Sequence, residues 1–226
     1  MTPRWDLPRL CVILDCPRDE PPLELCRKVA AARPPMIQIR VKLPSDRLAW
    51  ECAEAMFHEV RAGSPATVVV VNDRPDMAVA LGADGVHVGA DDLPVDAVRR
   101  VVGPHMIVGA TARNPDEARD ARRRGADYLG VGPVWPTSTK SGLPAPIGVD
   151  GLSRTCRAVD LPVLAISGVT LERVPQALAA GAHGVAVVSA VAAAADPARA
   201  VEDLMGVLES HSGVTGTTGA SRHPDT

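Results

Sequence analysis

Aromatic side chains are nearly missing from this chain: three Trp, one Tyr and one Phe among 226 residues, 2% of the total. Hydrophobic residues still make up 46%, so any core must be filled by Val, Ala, Leu and Ile. Neither sign of charge dominates. The formal net charge is −3 and the pI about 6.1, which removes any global attraction to nucleic acid or an anionic membrane and confines basic character to local patches. Five cysteines (Cys11, Cys16, Cys26, Cys52, Cys156) form no CxxC pair and are odd in number. That argues against a disulfide framework or a thiolate metal site and for buried or idle thiols in a reducing cytoplasm. No run approaches the roughly 18 uninterrupted apolar residues of a membrane span, and the first residues, MTPRWDLPRL, lack the apolar stretch of a secretion signal. The expectation is a soluble, cytoplasmic protein with neither nucleic acid nor membrane as a partner.

What the chain does have is a set of short apolar, β-branched runs, most of which end in polar residues suited to phosphate. The run 36–39 leads into Arg40 and Lys42, and the run 67–71 into Asn72, Asp73 and Arg74. Gly85–Val88, which contains His87, precedes Asp91 and Asp92; the run 106–110 precedes Thr111; and 128–132 precedes Thr137, Ser138, Thr139 and Lys140. The last two runs stop at Ser167–Gly168 and Val188–Ser189. Strands are predicted at about 10–14, 36–40, 67–71, 85–88, 106–110, 128–132, 162–166 and 184–188, because apolar runs without polar alternation suit strands buried on both faces. Helical segments separate them, among them Leu23–Ala31, Ser45–Arg61 and a stretch opened by Asn114 and Pro115 and closed by three arginines, 122–124.

A weak internal repeat supports the alternation. Gly-Ala-Asp begins at Gly82 and Gly125, and Gly-Ala-His at Gly181, each a helix ending in Gly followed directly by a strand. Such alternation demands parallel strands with right-handed crossovers. An open doubly wound sheet is the alternative, but eight units in about 200 residues favour closure into a single-domain (β/α)8 TIM barrel, whose active site lies where the strands end. The expected organisation is an N-terminal extension at 1–9, the barrel at 10–210 and a disordered tail at 211–226, where apolar periodicity is lost. The loop Pro133–Gly148 is long for this fold, and long loops are usually functional or mobile.

Gln38, Arg40 and Lys42 share one strand face, since strand side chains alternate with period two. Arg offers a planar fork to phosphate oxygens and Lys a point charge; the competing reading is a solvated strand end. Asn72–Asp73 and Asp91–Asp92 could equally cap the helices that follow them. Taken together, the rim poses an electrostatic problem. Arg40, Lys42 and Lys140 favour a polyanion, yet a carboxylate such as Asp73 or Asp92 at about 4 Å from a phosphate charge is repelled by about 4 kcal/mol at an effective dielectric near 20. A divalent cation reverses that sign. Mg2+, which takes one or two carboxylates plus substrate phosphates, is the expected ion, bridging a diphosphate. Gly168, with Ser167, Val188 and Ser189, supplies backbone amides of the kind barrels use for a second, neutral phosphate site. His87, in an apolar run, is either a satisfied core histidine or a group facing the substrate.

In this order the residues resemble the thiamine phosphate synthase family. The resemblance runs from about Leu10 to Leu208, through Gln38–Lys42, Asn72–Arg74, His87–Asp92, Gly109–Ala112, Gly132–Lys140, Ser167–Thr170 and Val187–Ala190. It implies condensation of a hydroxymethylpyrimidine diphosphate with a thiazole monophosphate, releasing pyrophosphate. It assigns Arg40, Lys42, Asn72 and Lys140 to the diphosphate, Asp73 and Asp92 to magnesium, and Gln38, His87 and Thr111 to the pyrimidine or the departing pyrophosphate. Thr137, Thr139, Gly168, Val188 and Ser189 are assigned to the thiazole phosphate. The implied chemistry is dissociative, with Arg40, Lys42, Lys140 and Thr111 as the catalytic set. The chain departs from the usual pattern at Ala90–Asp91 (commonly Gln–Glu), Thr111 (Ser), Arg113 (His) and Ser167 (Gly).

Three other readings compete. A thiazole tautomerase on the same barrel needs the His that Arg113 replaces. A non-catalytic binder of thiamine precursors would leave the metal and diphosphate residues without a purpose. A phosphosugar isomerase or aldolase lacks a convincing Glu base or Schiff-base Lys at a strand end. Association into a homo-oligomer is left open by the sequence.

Overall fold

In a computed structural model, which describes residues 7–137, 139 and 142–211, eight parallel strands close into a barrel in the order β1 to β8, with β8 returning to β1. The strands are β1 (Leu10–Cys16), β2 (Met36–Val41), β3 (Val68–Asn72), β4 (Gly85–Val88), β5 (Ile107–Ala112), β6 (Tyr128–Val131), β7 (Val163–Ile166) and β8 (Gly184–Val187). Between them run α1 (Leu23–Ala31), α2 (Asp46–Gly63), α3 (Pro75–Leu81), α4 (Val95–Val102), α5 (Pro115–Arg123), α6 (Gly148–Cys156) and α7 (Val174–Ala179); α8 (Ser189–Ala192) and α9 (Pro197–Ser210) follow β8. All eight expected strands are present and the sheet is closed rather than open. Their ends differ by one or two residues: β1 and β5 each continue two residues further than the apolar run, to Cys16 and Ala112.

Local chemistry explains the joints. Asn114 caps α5, its side chain accepting from Asp116 N and Glu117 N, both at 3.0 Å, with Pro115 in the first turn. Ser45 caps α2 through Leu48 N at 3.4 Å. The repeated glycines Gly82, Gly125 and Gly181 have φ of +64°, +96° and +97°, the left-handed turn by which each helix stops before the next strand. The aspartates after two of them serve a purpose the sequence did not reveal. Asp84 Oδ2 accepts from Val69 N (2.7 Å) and Arg61 Nη2 (2.6 Å), and Asp127 Oδ2 from Val108 N (2.8 Å) and Arg99 Nη2 (2.7 Å). Each ties the start of a strand to the helix ahead of it, at the end of the barrel remote from the polar rim.

Two apolar layers result. The larger lies between strands and helices; the smaller fills the barrel and contains Leu7, Cys11, Ile13, Met36, Val70, Ile107, Tyr128, Leu164 and Ala186. Of the twelve largest fully buried side chains among the described residues, eleven are aliphatic or Met, with Tyr128 the aromatic exception. The five cysteines are free, four of them buried, and burial pushes the thiols of Cys11, Cys16 and Cys26 up to about 12. Among the described residues no helix is long and apolar enough to cross a membrane.

Candidate active site at the strand ends

Along each strand every second side chain points into the barrel, and this inner face changes character with height. On β1 it reads Cys11, Ile13, Asp15; on β2 Met36, Gln38, Arg40; on β3 Val70, Asn72; on β5 Ile107, Gly109, Thr111. Apolar residues seal the lower half, and polar ones line a cavity of about 270 Å³ at the strand ends.

Most of the residues singled out from sequence meet in this cavity. Gln38, Arg40, Lys42, Asn72, Asp73, His87, Asp92, Thr111, Thr137, Thr139, Gly168, Val188 and Ser189 all line it. Lys140 and Ser138 lie outside the described residues. Gln38 is buried and Arg40 is half-buried beside Asp15, so neither belongs to a solvated strand end, whereas Lys42 is exposed and held at the rim by its ion pair with Asp73. Neither Asn72–Asp73 nor Asp91–Asp92 caps a helix: α3 starts after Arg74 and α4 after Pro94, without a side-chain cap in either case. Asp91 points to solvent and pairs with Arg113 at 3.4 Å.

The acidic corner is tightly built. Asp73 takes a left-handed φ of +62°, uncommon for a residue with a side chain, and its amide donates to His87 O at 2.7 Å. The amide of Gly89 donates to both carboxylates, Asp92 Oδ2 at 3.1 Å and Asp73 Oδ1 at 3.3 Å. A Cβ on Gly89 would lie 2.6 Å from Asp92 Oδ2, so only glycine allows the approach. Lys42 Nζ forms an ion pair with Asp73 and stands 3.8 Å from Asp92 Oδ1. Burial alone would raise the pKa of Asp73, but hydrogen bonds with Asp92 and Lys42 hold it below the usual carboxylate range. Asp92 moves the other way, raised by burial and by the neighbouring Asp73. Two carboxyl groups thus face the ammonium group of Lys42. Among the described residues no three His, Cys, Asp or Glu side chains gather as metal ligands. The donor set is two hard carboxylates, which suits Mg2+ only when ligand phosphates complete its shell.

Asp15 was not singled out from the sequence, and two residues that were, Arg113 and His87, acquire defined partners in the fold. Asp15 Oδ1 stands 2.5 Å from Arg40 Nη1 and fixes the guanidinium; it lies two residues beyond the apolar Ile13, and the period-two argument applied to β2 would have found it. Arg113 lines the rim, adding a cation where the resemblance led to a His. His87 is both things the sequence allowed: its ring is satisfied, with Nδ1 3.1 Å from Tyr128 Oη and Nε2 3.1 Å from Thr111 Oγ1, and it also borders the cavity. Burial lowers its pKa to about 4, so the imidazole is neutral at physiological pH.

Across the mouth, β7 and β8 contribute Ser167, Gly168, Val188 and Ser189. Ser167 and Gly168 both have left-handed φ, +74° and +66°. A Cβ at Gly168 would lie 2.5 Å from Pro136 O and 2.8 Å from Trp135 Cβ, so the loop after β6 is pressed directly on this turn. Arg173 holds the same turn, donating to Gly168 O at 2.5 Å while its guanidinium lies 5.5 Å from the Trp135 ring centre.

A closed (β/α)8 barrel with cations, paired carboxylates and a left-handed turn around one cavity has the makings of a barrel enzyme for phosphorylated substrates. Comparison with known proteins narrows this. A family model described as Thiamine monophosphate synthase matches residues 10–191. The chain is 46% identical over 197 residues to a thiamine-phosphate synthase of Salinispora arenicola, covering 86% of this chain and 94% of that one. It is 40% identical over 210 residues to a thiamine-phosphate synthase of Chlorobium luteolum (93% and 97% covered). A solved thiamine phosphate pyrophosphorylase from Pyrococcus furiosus superposes with a TM-score of 0.78 at 34% identity, covering 91% of this chain and 97% of that one. The chain belongs to the thiamine monophosphate synthase family.

Proposed function

We propose that the protein joins 4-amino-2-methyl-5-hydroxymethylpyrimidine diphosphate to 4-methyl-5-(2-phosphoethyl)thiazole, giving thiamine phosphate and pyrophosphate. The observation that carries this reading is one cavity with two chemically unlike walls, each suited to a phosphate. β2 to β4 and the turns after them bring cations and carboxylates, while the ends of β7 and β8 bring the uncharged Ser167, Gly168, Val188 and Ser189.

Arg40, Lys42 and Asn72 hold the diphosphate, with Lys140 assigned to the same group from sequence. Gln38, His87 and Thr111 border the pyrimidine or the departing pyrophosphate. Thr137, Thr139, Gly168, Val188 and Ser189 take the thiazole phosphate. Asp73 and Asp92 would hold Mg2+, which supplies charge neutralisation on the diphosphate. The C–O bond to the diphosphate breaks first, the electron-rich aminopyrimidine carries the cation, and the thiazole nitrogen then forms the C–N bond. The protein contributes charge stabilisation on the leaving group and alignment of two rings, so no nucleophile or strong base is needed. The engagement of Asp15 with Arg40 and of Asp73 with Lys42 accords with that.

The test is formation of thiamine phosphate from the two substrates with and without Mg2+, read as fluorescent thiochrome after oxidation. Magnesium-dependent product is the expected result. Folded protein that yields no product overturns the reading and points to a tautomerase or a precursor-binding relative, with Ala90, Arg113 and Ser167 as the first positions to revert.

A further inference from the structure

The chain's single tyrosine sits inside the barrel, below the cavity rather than on it. Its hydroxyl meets one partner among the described residues, His87 Nδ1 at 3.1 Å, and His87 Nε2 meets Thr111 Oγ1 at the same distance. Space for this stack is built into the neighbouring strands. A Cβ at Gly109 would lie 2.2 Å from Tyr128 Cζ and 2.5 Å from His87 Nδ1, and one at Gly130 would lie 3.1 Å from His87 Cε1. Side chains at either position would displace the ring.

The direction of the hydrogen bonds follows from where protons can go. A fully buried phenolic O–H must donate, and an unmet buried donor costs about 1–3 kcal/mol. Among the described residues its available acceptor is Nδ1. Nδ1 must therefore carry no proton, which excludes both the imidazolium and the Nδ1–H tautomer. The proton then sits on Nε2 and is donated to Thr111 Oγ1. Thr111 has spent a lone pair on the imidazole and has no protein acceptor among the described residues, so its own O–H points into the cavity.

We infer that Tyr128 is a positioning residue that fixes the Nε2–H tautomer of His87 and thereby makes the Thr111 hydroxyl a hydrogen-bond donor to an acceptor atom of the bound substrate. The tautomer is a property of the free protein; its consequence for turnover rests on the reaction proposed above.

The experiment has two arms. In the first, the ring nitrogens of His87 in 15N-labelled, ligand-free protein are read by NMR and assigned by their loss in His87→Gln. Pyridine-type Nδ1 with pyrrole-type Nε2 is expected; pyrrole-type Nδ1 overturns the inference, and this arm needs no activity. In the second, Tyr128→Phe, which keeps the ring volume, is expected to lower kcat about tenfold, the worth of one hydrogen bond, and to leave the thiazole phosphate KM unchanged. In a Thr111→Val background the same substitution is expected to have little further effect. Additive losses in the double variant would mean that Tyr128 does not act through Thr111 and would overturn the relay. Absence of product from every variant and the wild type would instead sink the proposed reaction and leave the NMR result standing.

Discussion

Asp15 and Arg40 stand opposite each other on β1 and β2, in register, with Arg40 Nη1 2.5 Å from Asp15 Oδ1. The ion pair orients the guanidinium before any ligand arrives. Its worth lies less in fold stability, since both side chains are partly open to solvent, than in pre-ordering a side chain rich in rotamers. Immobilising such a side chain at binding costs about 0.5–1.5 kcal/mol. Asp15→Ala is therefore expected to raise KM for the pyrimidine diphosphate by up to about tenfold and to leave KM for the thiazole phosphate alone. Steady-state kinetics with each substrate varied in turn distinguish this from a general loss; equal rises in both would count against it.

Asp92 makes the sharper case for the metal. Its carboxylate bonds the Gly89 amide and faces Asp73, but its side chain is about a third exposed and supports no helix or strand. Asp92→Ala should leave the thermal unfolding curve in place while turnover falls by at least about a hundredfold, as when a charge-stabilising group is removed from the site of reaction. A variant that unfolds normally and still turns over would remove the reason for placing magnesium here.

The strands were legible because a barrel strand is apolar on both faces, and the helix joints because Asn114, Pro115 and the three glycines carry their conformations with them. What escaped notice was Asp15 and, for Thr111, a named site residue, only its place within the strand, because apolarity stops before the strand does. Asp15 and Thr111 belong to β1 and β5, yet their polarity reads as the start of a loop. They remain in the ladder because the cavity, rather than the core, receives their side chains. Asp84 and Asp127 were visible as a repeat, but their partners Arg61 and Arg99 lie 23 and 28 residues away, beyond any local pattern. The pairing of Lys42 with Asp73 had the same obstacle. Each was recognisable by type, and the closed barrel brought them together.

Ser167 and Gly168 allow a contrast within one turn. Both have left-handed φ, but Gly168 also lies under the backbone of Trp135 and Pro136. Gly168→Ala should destabilise the protein by about 3 kcal/mol, combining backbone strain with overpacking. Ser167→Gly relieves strain and adds freedom to the unfolded chain, so its net effect should stay within about 1 kcal/mol. Denaturant unfolding of the two variants reads the difference. A mild Gly168→Ala would mean that the loop after β6 yields easily and that its contact with the turn is loose.

His87 gives the stability a predictable response to acid. Burial moves its pKa from 6.5 to about 4, so between those values the unfolded chain binds a proton that the folded protein refuses. Stability therefore rises with pH across this window: the contribution is complete above about 6.5 and is lost progressively as pH falls towards about 4. The full loss is about 3 kcal/mol by linkage. Denaturant midpoints measured from pH 7.5 to 4.5 should fall accordingly, beyond the slope set by the surface carboxylates. His87→Gln, lacking a group that titrates there, should start less stable at pH 7 and lose less on acidification. Parallel slopes for the two proteins would show that His87 can take up its proton in place, with Tyr128 and Thr111 giving way around it.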